Sequence, residues 1–238
     1  MKLVMISMFL LTVSQDGNHA EKAFRASEKK LSESDTIQIS FTSNTNPDRK
    51  DVGIGFNKGT ILIAKGNKLR LDLIGDVPGQ PGQTIKVISI SDGAKIATQV
   101  TQGDDQGKVM VQDSPKTDSA MLAGIVSRAG VFTIGRAASE TENKNQRKLD
   151  DFITVADFSM GKKEKVGNRQ AQRIDYKLTI NIGIKETIDA QVWLDSETHM
   201  PLKRVLSVKH GEETVMVTET YDIHINDKID ASRFELPK

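Results

Sequence analysis

The chain has no cysteine, which excludes disulfides, thiolate metal sites, a cysteine nucleophile and a lipid anchor on an N-terminal cysteine. Aromatic residues are scarce at 5%, with Trp193 the single tryptophan, so a buried surface must be lined mainly by aliphatic side chains, and a sugar-stacking platform is disfavoured. Charge of either sign is not in excess: Lys+Arg 33 against Asp+Glu 32 leaves a formal net charge of +1. A nucleic-acid binder gathers a basic excess on one face and carries a reading motif; neither is present. No apolar run reaches the roughly 20 residues needed to span a bilayer.

What the chain does have is length for a real core, 238 residues, and an apolar start. Lys2 is followed by an apolar run from Leu3 to Val13, short for a membrane span and of the right length for the core of a signal peptide. The expectation is a signal peptide over residues 1–20, an exported, soluble and periplasmic protein without a lipid anchor, and one domain over residues 21–238, since no repeat or linker interrupts the rest.

The centre of the pattern is Lys58–Leu73, KGTILIAKGNKLRLDL. Leu69, Leu71 and Leu73 fall on one face and Lys68, Arg70 and Asp72 on the other, the two-residue period of a strand. Ile61 and Ile63 alternate with Leu62 and Ala64, so both faces of the first strand need cover. Gly66-Asn67 supplies the turn. Upstream, Ala20, Ala23, Phe24, Ser27 and Leu31 recur at helical spacing, predicting a helix from about Ala20 to Glu33, and a strand follows from Thr36. Asn44 to Asp48 reads as a loop and Val52–Phe56 as a glycine-interrupted strand. Strands continue over Thr84–Ser91 and, after the Asp92-Gly93 turn, Lys95–Thr101, with a short one over Gly107–Gln112. Met121, Leu122, Ile125 and Val126 then form a helical stripe over Asp118–Ala129, with Gly130 where a left-handed C-terminal residue belongs. Ser139–Asp151 reads as an exposed loop or helix end. Strands resume over Ile153–Lys165, Ala171–Ile180, Ile188–Leu194, Pro201–His210 and Thr214–Ile225.

Chemistry is hard to find in this pattern. His19, His199, His210 and His224 lack paired or metal-binding spacing. There is no G-x-S-x-G elbow, and the acids lie in turns, with Asp157 and Asp175 the one glycosidase-type pair left open. The reading is a protein that is not an enzyme, with no metal and no cofactor. Gly103–Gly107 carries two acids without the later ligands of a calcium loop and reads as a solvated turn. A meander of about ten strands with one apolar face, plus one apolar helix, either packs solid or encloses a cavity.

Several stretches together resemble the outer-membrane lipoprotein carrier superfamily of LolA-, LolB- and LppX-like proteins and periplasmic sigma-factor regulators. They are GTILIAKGNKLRLDLIGD (residues 59–76), Ile90-Ser91-Asp92-Gly93 with Lys95, Val192-Trp193-Leu194-Asp195 through Met200-Pro201-Leu202, and Tyr221-Asp222-Ile223 through Phe234-Glu235-Leu236-Pro237. The resemblance implies an α+β fold, an incomplete, half-open antiparallel β-barrel with helices covering its concave side and an apolar cavity for acyl chains. It implies a carrier or sensor of a lipid or acylated protein, or a regulatory domain of the same fold with a filled core and a protein partner. An inner- or outer-membrane delivery protein is the further partner implied, and the chain is expected to be a monomer. The expected lining is Leu69, Leu71, Leu73, Met121, Leu122, Ile125, Phe132 and Trp193, with the helix Asp118–Ala129 as a lid. Classical carriers place an arginine after the hairpin lysine to hold that lid; here Gly66 stands in its place.

Overall fold

The computed structural model describes residues 13–46, 56–77, 80, 82–103, 105–114, 119–131, 148–182, 184–210 and 212–237. The glycine-interrupted strand expected before Phe56, the N-cap expected at Thr117 or Asp118, and Phe132 lie outside them. Helix α1 (Val13–Ser32) leads into strands β1 (Thr36–Asn46), β2 (Phe56–Ala64), β3 (Lys68–Asp76), β4 (Thr84–Asp92), β5 (Lys95–Gln102), β6 (Asp105–Gln106) and β7 (Met110–Asp113). Helices α2 (Ser119–Ala129) and α3 (Leu149–Phe152) interrupt the meander before β8 (Ile153–Val166), β9 (Arg169–Ile182), β10 (Ile184–Asp195), β11 (Pro201–His210) and β12 (Glu213–Ile225).

These strands make one antiparallel sheet of twelve, ordered β6-β5-β4-β3-β2-β1-β12-β11-β10-β9-β8, with β7 paired to β5 beside β6. The ends do not meet, so the barrel is open, as expected. Strand β1 closes the meander on itself by pairing with β12 from Ile37↔Ile225 to Asn46↔Met216. That pairing overrides the loop-forming composition of Asn44–Asn46, which continue the strand.

The opening hairpin forms as its period requires. Ala64 faces Lys68 across a turn in which Gly66 (φ 80°) and Asn67 (φ 60°) are left-handed, a conformation glycine and asparagine tolerate best. Ile61, Leu62 and Ile63 are all buried. Ile61 and Ile63 join the main core; on the opposite face Leu62 and Ile90 are buried too, where the one-turn helix Ala231–Phe234 packs over β3 and β4 and buries Phe234.

Helix α1 lays Ala20, Phe24, Ser27 and Leu31 on the core. Phe24 meets Phe158 and Tyr176 at ring-centroid distances of 5.2 and 5.0 Å, pinning the helix to β8 and β9, while α1 and α2 pack on each other. Of Ser139–Asp151, read as an exposed loop or helix end, residues 139–147 lie outside the described residues, and Leu149–Asp151 belong to α3, whose last residue Phe152 is buried. The two outer edges of the sheet differ. Strand β8 is irregular, with register shifts at Ala156/Ser159 and Met160/Lys163, and carries the exposed Lys162, Lys163 and Lys165. Strand β7 has only four residues, two of them the apolar Met110 and Val111, 63% and 53% exposed.

Candidate functional site: the concave face and its helical cover

Cross-strand partners share a face, so the register defines rows that run across the sheet. One row is Phe41, Gly59, Leu73, Val87 and Val100, from β1 to β5. Its inner members are in the core: Phe41 is 4% and Leu73 1% exposed. Gly59 leaves no room for a side chain, since a Cβ there would lie 2.5 Å from Asp72 O and 2.9 Å from Leu73 Cδ2. Outward along the row Val87 is half-buried and Val100 is 36% exposed. The neighbouring row Ile39, Ile61, Leu71, Ser89, Thr98 and Met110 turns polar midway, where Ser89 and Thr98 hydroxyls are 3.0 Å apart. The concave face is thus apolar and sealed at its centre and opens outward over β4, β5 and β7.

The structure brings Leu69, Leu71, Leu73, Met121, Leu122 and Ile125 into one cluster. Leu71, Leu73 and Ile125 are buried within it; Leu69, Met121 and Leu122 are half-buried at its margin. Trp193 does not join them. Its neighbours Val192 and Leu194 point to the main core, and Trp193 packs on the convex face with Ala171, Leu202 and Val205. There its indole N–H donates to Glu164 Oε1 at 2.5 Å, and the Lys203 ammonium stands 4.6 Å from the ring centroid. Trp193 is therefore removed from the concave lining: strand parity decides the face, and both faces of this strand are apolar at that point.

Beneath the C-terminal end of α2 the concave floor is polar, a feature the sequence reading missed. Arg204, wholly buried, donates from Nη1 to Val126 O at 2.9 Å and from Nη2 to Ser127 O. Tyr176 donates its hydroxyl proton to Arg128 O at 2.8 Å. Three successive carbonyls of the last helical turn, where intrahelical donors run out, thus accept from side chains of the sheet, Val126 O in addition to the Gly130 N–H. Arg204 Nη1 also lies 3.3 Å from the Tyr221 hydroxyl, which in turn donates to Glu219. Glu219 is wholly buried and sits opposite Arg204 across β11–β12. Burial works against the Arg204 charge, but the oxygens of Tyr176, Tyr221 and Glu219 more than offset it and raise its pKa. Burial likewise raises both phenols, so they remain protonated donors.

Gly130 closes the helix as expected, with φ 72° and its N–H donating to Val126 O at 3.0 Å. It is also the point of closest approach to this floor. A Cβ on it would collide with Glu219 Oε2 and stand 2.6 Å from Arg204 Nη1 and 2.7 Å from Tyr221 Oη. On the outer side Arg128 reaches Glu28 of α1, Asp150 of α3 and, at 2.8 Å, Ile153 O. Its guanidinium holds the Asp150 carboxyl below the usual range. The missed residues carried a signal: Arg204 has the parity of Leu206 and Val208, and Glu219 that of Val217 and Tyr221, all core positions.

Among the described residues no reactive constellation accompanies this floor. Among the described residues no three potential metal-ligating side chains converge, and no helix is long and apolar enough to cross a membrane. His19, His199 and His224 are exposed. Asp175 is held by Gln191 Nε2 at 2.6 Å and Arg173 Nε at 3.3 Å, while Asp157 is exposed in the β8 bulge with φ 54°. That bulge and α1 bound an open groove of about 590 Å³, lined by Gly17, Asn18, Glu21 and Val155–Phe158. What the concave face offers is apolar area with a fixed polar anchor at one end.

No protein-family profile matches the chain, and no curated protein sequence matches it. Solved structures do. LprF from Mycobacterium bovis superposes with a TM-score of 0.54 at 8% sequence identity, covering 90% of this chain and 96% of that one. The Mycobacterium tuberculosis lipoprotein LppX gives 0.49 at 12% identity, covering 90% and 98%. An outer membrane lipoprotein-sorting protein domain from Vibrio parahaemolyticus gives 0.32 at 16% identity, covering 90% and 97%.

Proposed function

We propose that this chain, a divergent protein with the LolA/LppX-like open-barrel fold, is an exported, non-enzymatic carrier or sensor that holds the acyl chains of a lipid or lipoprotein on its concave face. The observation that carries the reading is the apolar row Phe41, Gly59, Leu73, Val87 and Val100, which leads without a polar side chain from the core to solvent. An acyl chain gains about 0.8 kcal/mol per buried methylene. Ten buried methylenes therefore contribute about 8 kcal/mol, equivalent to a micromolar constant before the costs of association are subtracted. Such a gain needs no directional contact, in keeping with a lining that is aliphatic rather than polar.

The test is native mass spectrometry of the purified protein, alone and after incubation with palmitate, together with extraction of copurified lipid. Retained or bindable acyl species support the carrier. Failure of any acyl species to bind, under conditions where the protein stays folded, sinks it. A second reading draws on the filled floor beneath α2: a regulatory domain with a protein partner in place of a lipid. Crosslinking in the periplasm that recovers a defined partner, with no acyl binding, would favour this alternative.

A further inference from the structure

We infer that the β7 edge of the sheet pairs with the β7 edge of a second copy of this chain, antiparallel and related to it by a two-fold axis at Met110. Such pairing is independent of the carrier reading and holds whether or not an acyl chain is bound.

Among the described residues the exposed large hydrophobic side chains are Val100, Val109, Met110 and Val111, and all four lie at this one end of the sheet. Met110 and Val111 are more than half exposed, on opposite faces, and among the described strands β7 pairs with β5 alone. A short exposed strand frays when nothing holds it, yet this one is fastened at both ends. Ser114 donates its N–H to Ala94 O at 2.8 Å, and its hydroxyl accepts from Asn67 Nδ2 at 3.0 Å and stands 2.9 Å from the hydroxyl of the buried Ser91. Ahead of β7, Gln99 Nε2 donates to Gly107 O at 3.2 Å. The edge is thus preformed and apolar, the form in which one strand accepts another. Strand β8, by contrast, meets an incoming strand with register shifts and with Lys162, Lys163 and Lys165. Joining β7 to the β8 of a next copy would grow a filament and is disfavoured there, whereas β7 on β7 closes as a pair. A formal net charge of +1 sets up no general repulsion between copies.

The two-fold fixes the register. An axis normal to the sheet leaves each residue on its own face, and directly opposed residues of an antiparallel pair share a face, so one residue must oppose itself. With Met110 at the axis, Val109 faces the partner subunit's Val111 and Lys108 faces the partner subunit's Gln112, so apolar meets apolar on both sides of Met110. With Val111 at the axis, Val109 would face the partner subunit's Asp113 and Met110 the partner subunit's Gln112, setting aliphatic chains on polar ones. The register centred on Met110 is the better matched. Met110 stands at the outer end of a concave row, so the pairing also covers that end.

Sedimentation velocity on the full chain, from about 10 μM to about 1 mM, tests this. The edge strand has only four residues, little beside the roughly 800 Å² per partner of a standard interface. The expected result is therefore a monomer that passes to a dimer and no further, with a Kd of about 100 μM. Val111→Lys, at an exposed position, should raise that Kd at least about tenfold; should it fail to fold, as judged by far-UV circular dichroism, Val109→Lys makes the same test from the facing position. The chain has no cysteine, so single substitutions report the register. Under diamide, Met110→Cys should form an intermolecular disulfide several-fold faster than Val111→Cys, because residue 110 alone opposes itself. A chain that stays monomeric to about 1 mM, a series that continues past the dimer, a Kd indifferent to the lysine substitution, or equal crosslinking at the two positions would overturn the inference. So would capture of the monomer by phosphatidylglycerol vesicles in place of dimerisation, which would assign the same apolar edge to a lipid surface.

Discussion

Two left-handed glycines in the same chain provide a controlled measurement of the anchor. Gly66 (φ 80°) and Gly130 (φ 72°) have nearly the same left-handed φ, but a Cβ at Gly66 meets nothing within 4 Å, whereas at Gly130 it meets Glu219, Arg204 and Tyr221. Each Gly→Ala change pays the left-handed penalty of about 1–2 kcal/mol and recovers about 0.4–1 kcal/mol from a less flexible unfolded chain. Gly66→Ala should therefore cost about 1 kcal/mol or less. Gly130→Ala adds overpacking, about 1–3 kcal/mol, against groups that are themselves buried and bonded and cannot simply swing away. We expect about 2–4 kcal/mol in total, which in a chain of this size lowers Tm by roughly 2–4 °C per kcal/mol. Urea titrations followed by circular dichroism and by Trp193 emission give both values on one scale. Equal costs for the two substitutions would refute the reasoning, because they would mean that the floor beneath α2 accommodates a methyl group without loss.

The remaining predictions concern the far side of the sheet and its turns. Because Trp193 packs on the convex face against Leu202 and Val205, saturating palmitate should leave its emission maximum unchanged, even where native mass spectrometry shows binding; a shift that follows the binding curve would place the ligand on the convex side. Asp195 is buried, which opposes its ionisation, yet the N–H of Thr198 at 2.6 Å, that of Glu197 at 2.9 Å, the Thr198 hydroxyl and Arg169 hold its carboxyl below the usual range. A depressed folded-state value stabilises above the unfolded pKa of about 3.9 and loses that stabilisation as pH falls through the folded value. Asp195→Asn should cost about 1–2 kcal/mol at pH 7, with the gap to the natural protein closing below about pH 4; a gap that persists in acid would show that the charge is not the source.

The hairpin at Gly66-Asn67 was legible because everything that makes it is local: alternation, a turn that wants left-handed residues, and the charged face of Lys68, Arg70 and Asp72 on its second strand. The helix stop at Gly130 was legible for the same reason. Arg204 and Glu219 were not, although their parity places them at core positions. What satisfies Arg204 is a pair of carbonyls 78 and 77 residues away, and no periodicity in the sequence announces where a helix end will land on a sheet. Trp193 was misplaced for a different reason. In Ile188–Leu194 both faces are apolar near the end, so size drew the residue to the cavity, while alternation with Ala190 and Val192 assigns it to the opposite side. The loop reading of Asn44–Asn46 failed because composition is a weaker constraint than a partner strand, here Met216–Thr218.

An open sheet also has to keep from extending itself. The β8 margin deters addition of another strand through its irregular register and three lysines, devices that commonly guard exposed edges. The β7 margin has neither, only brevity, and exposes Met110 and Val111 to solvent on opposite faces. When the chain is heated or crowded, its colloidal weak point is therefore this short end, far from the anchored helix. Shelf life and folding stability are thus governed by different parts of the same sheet.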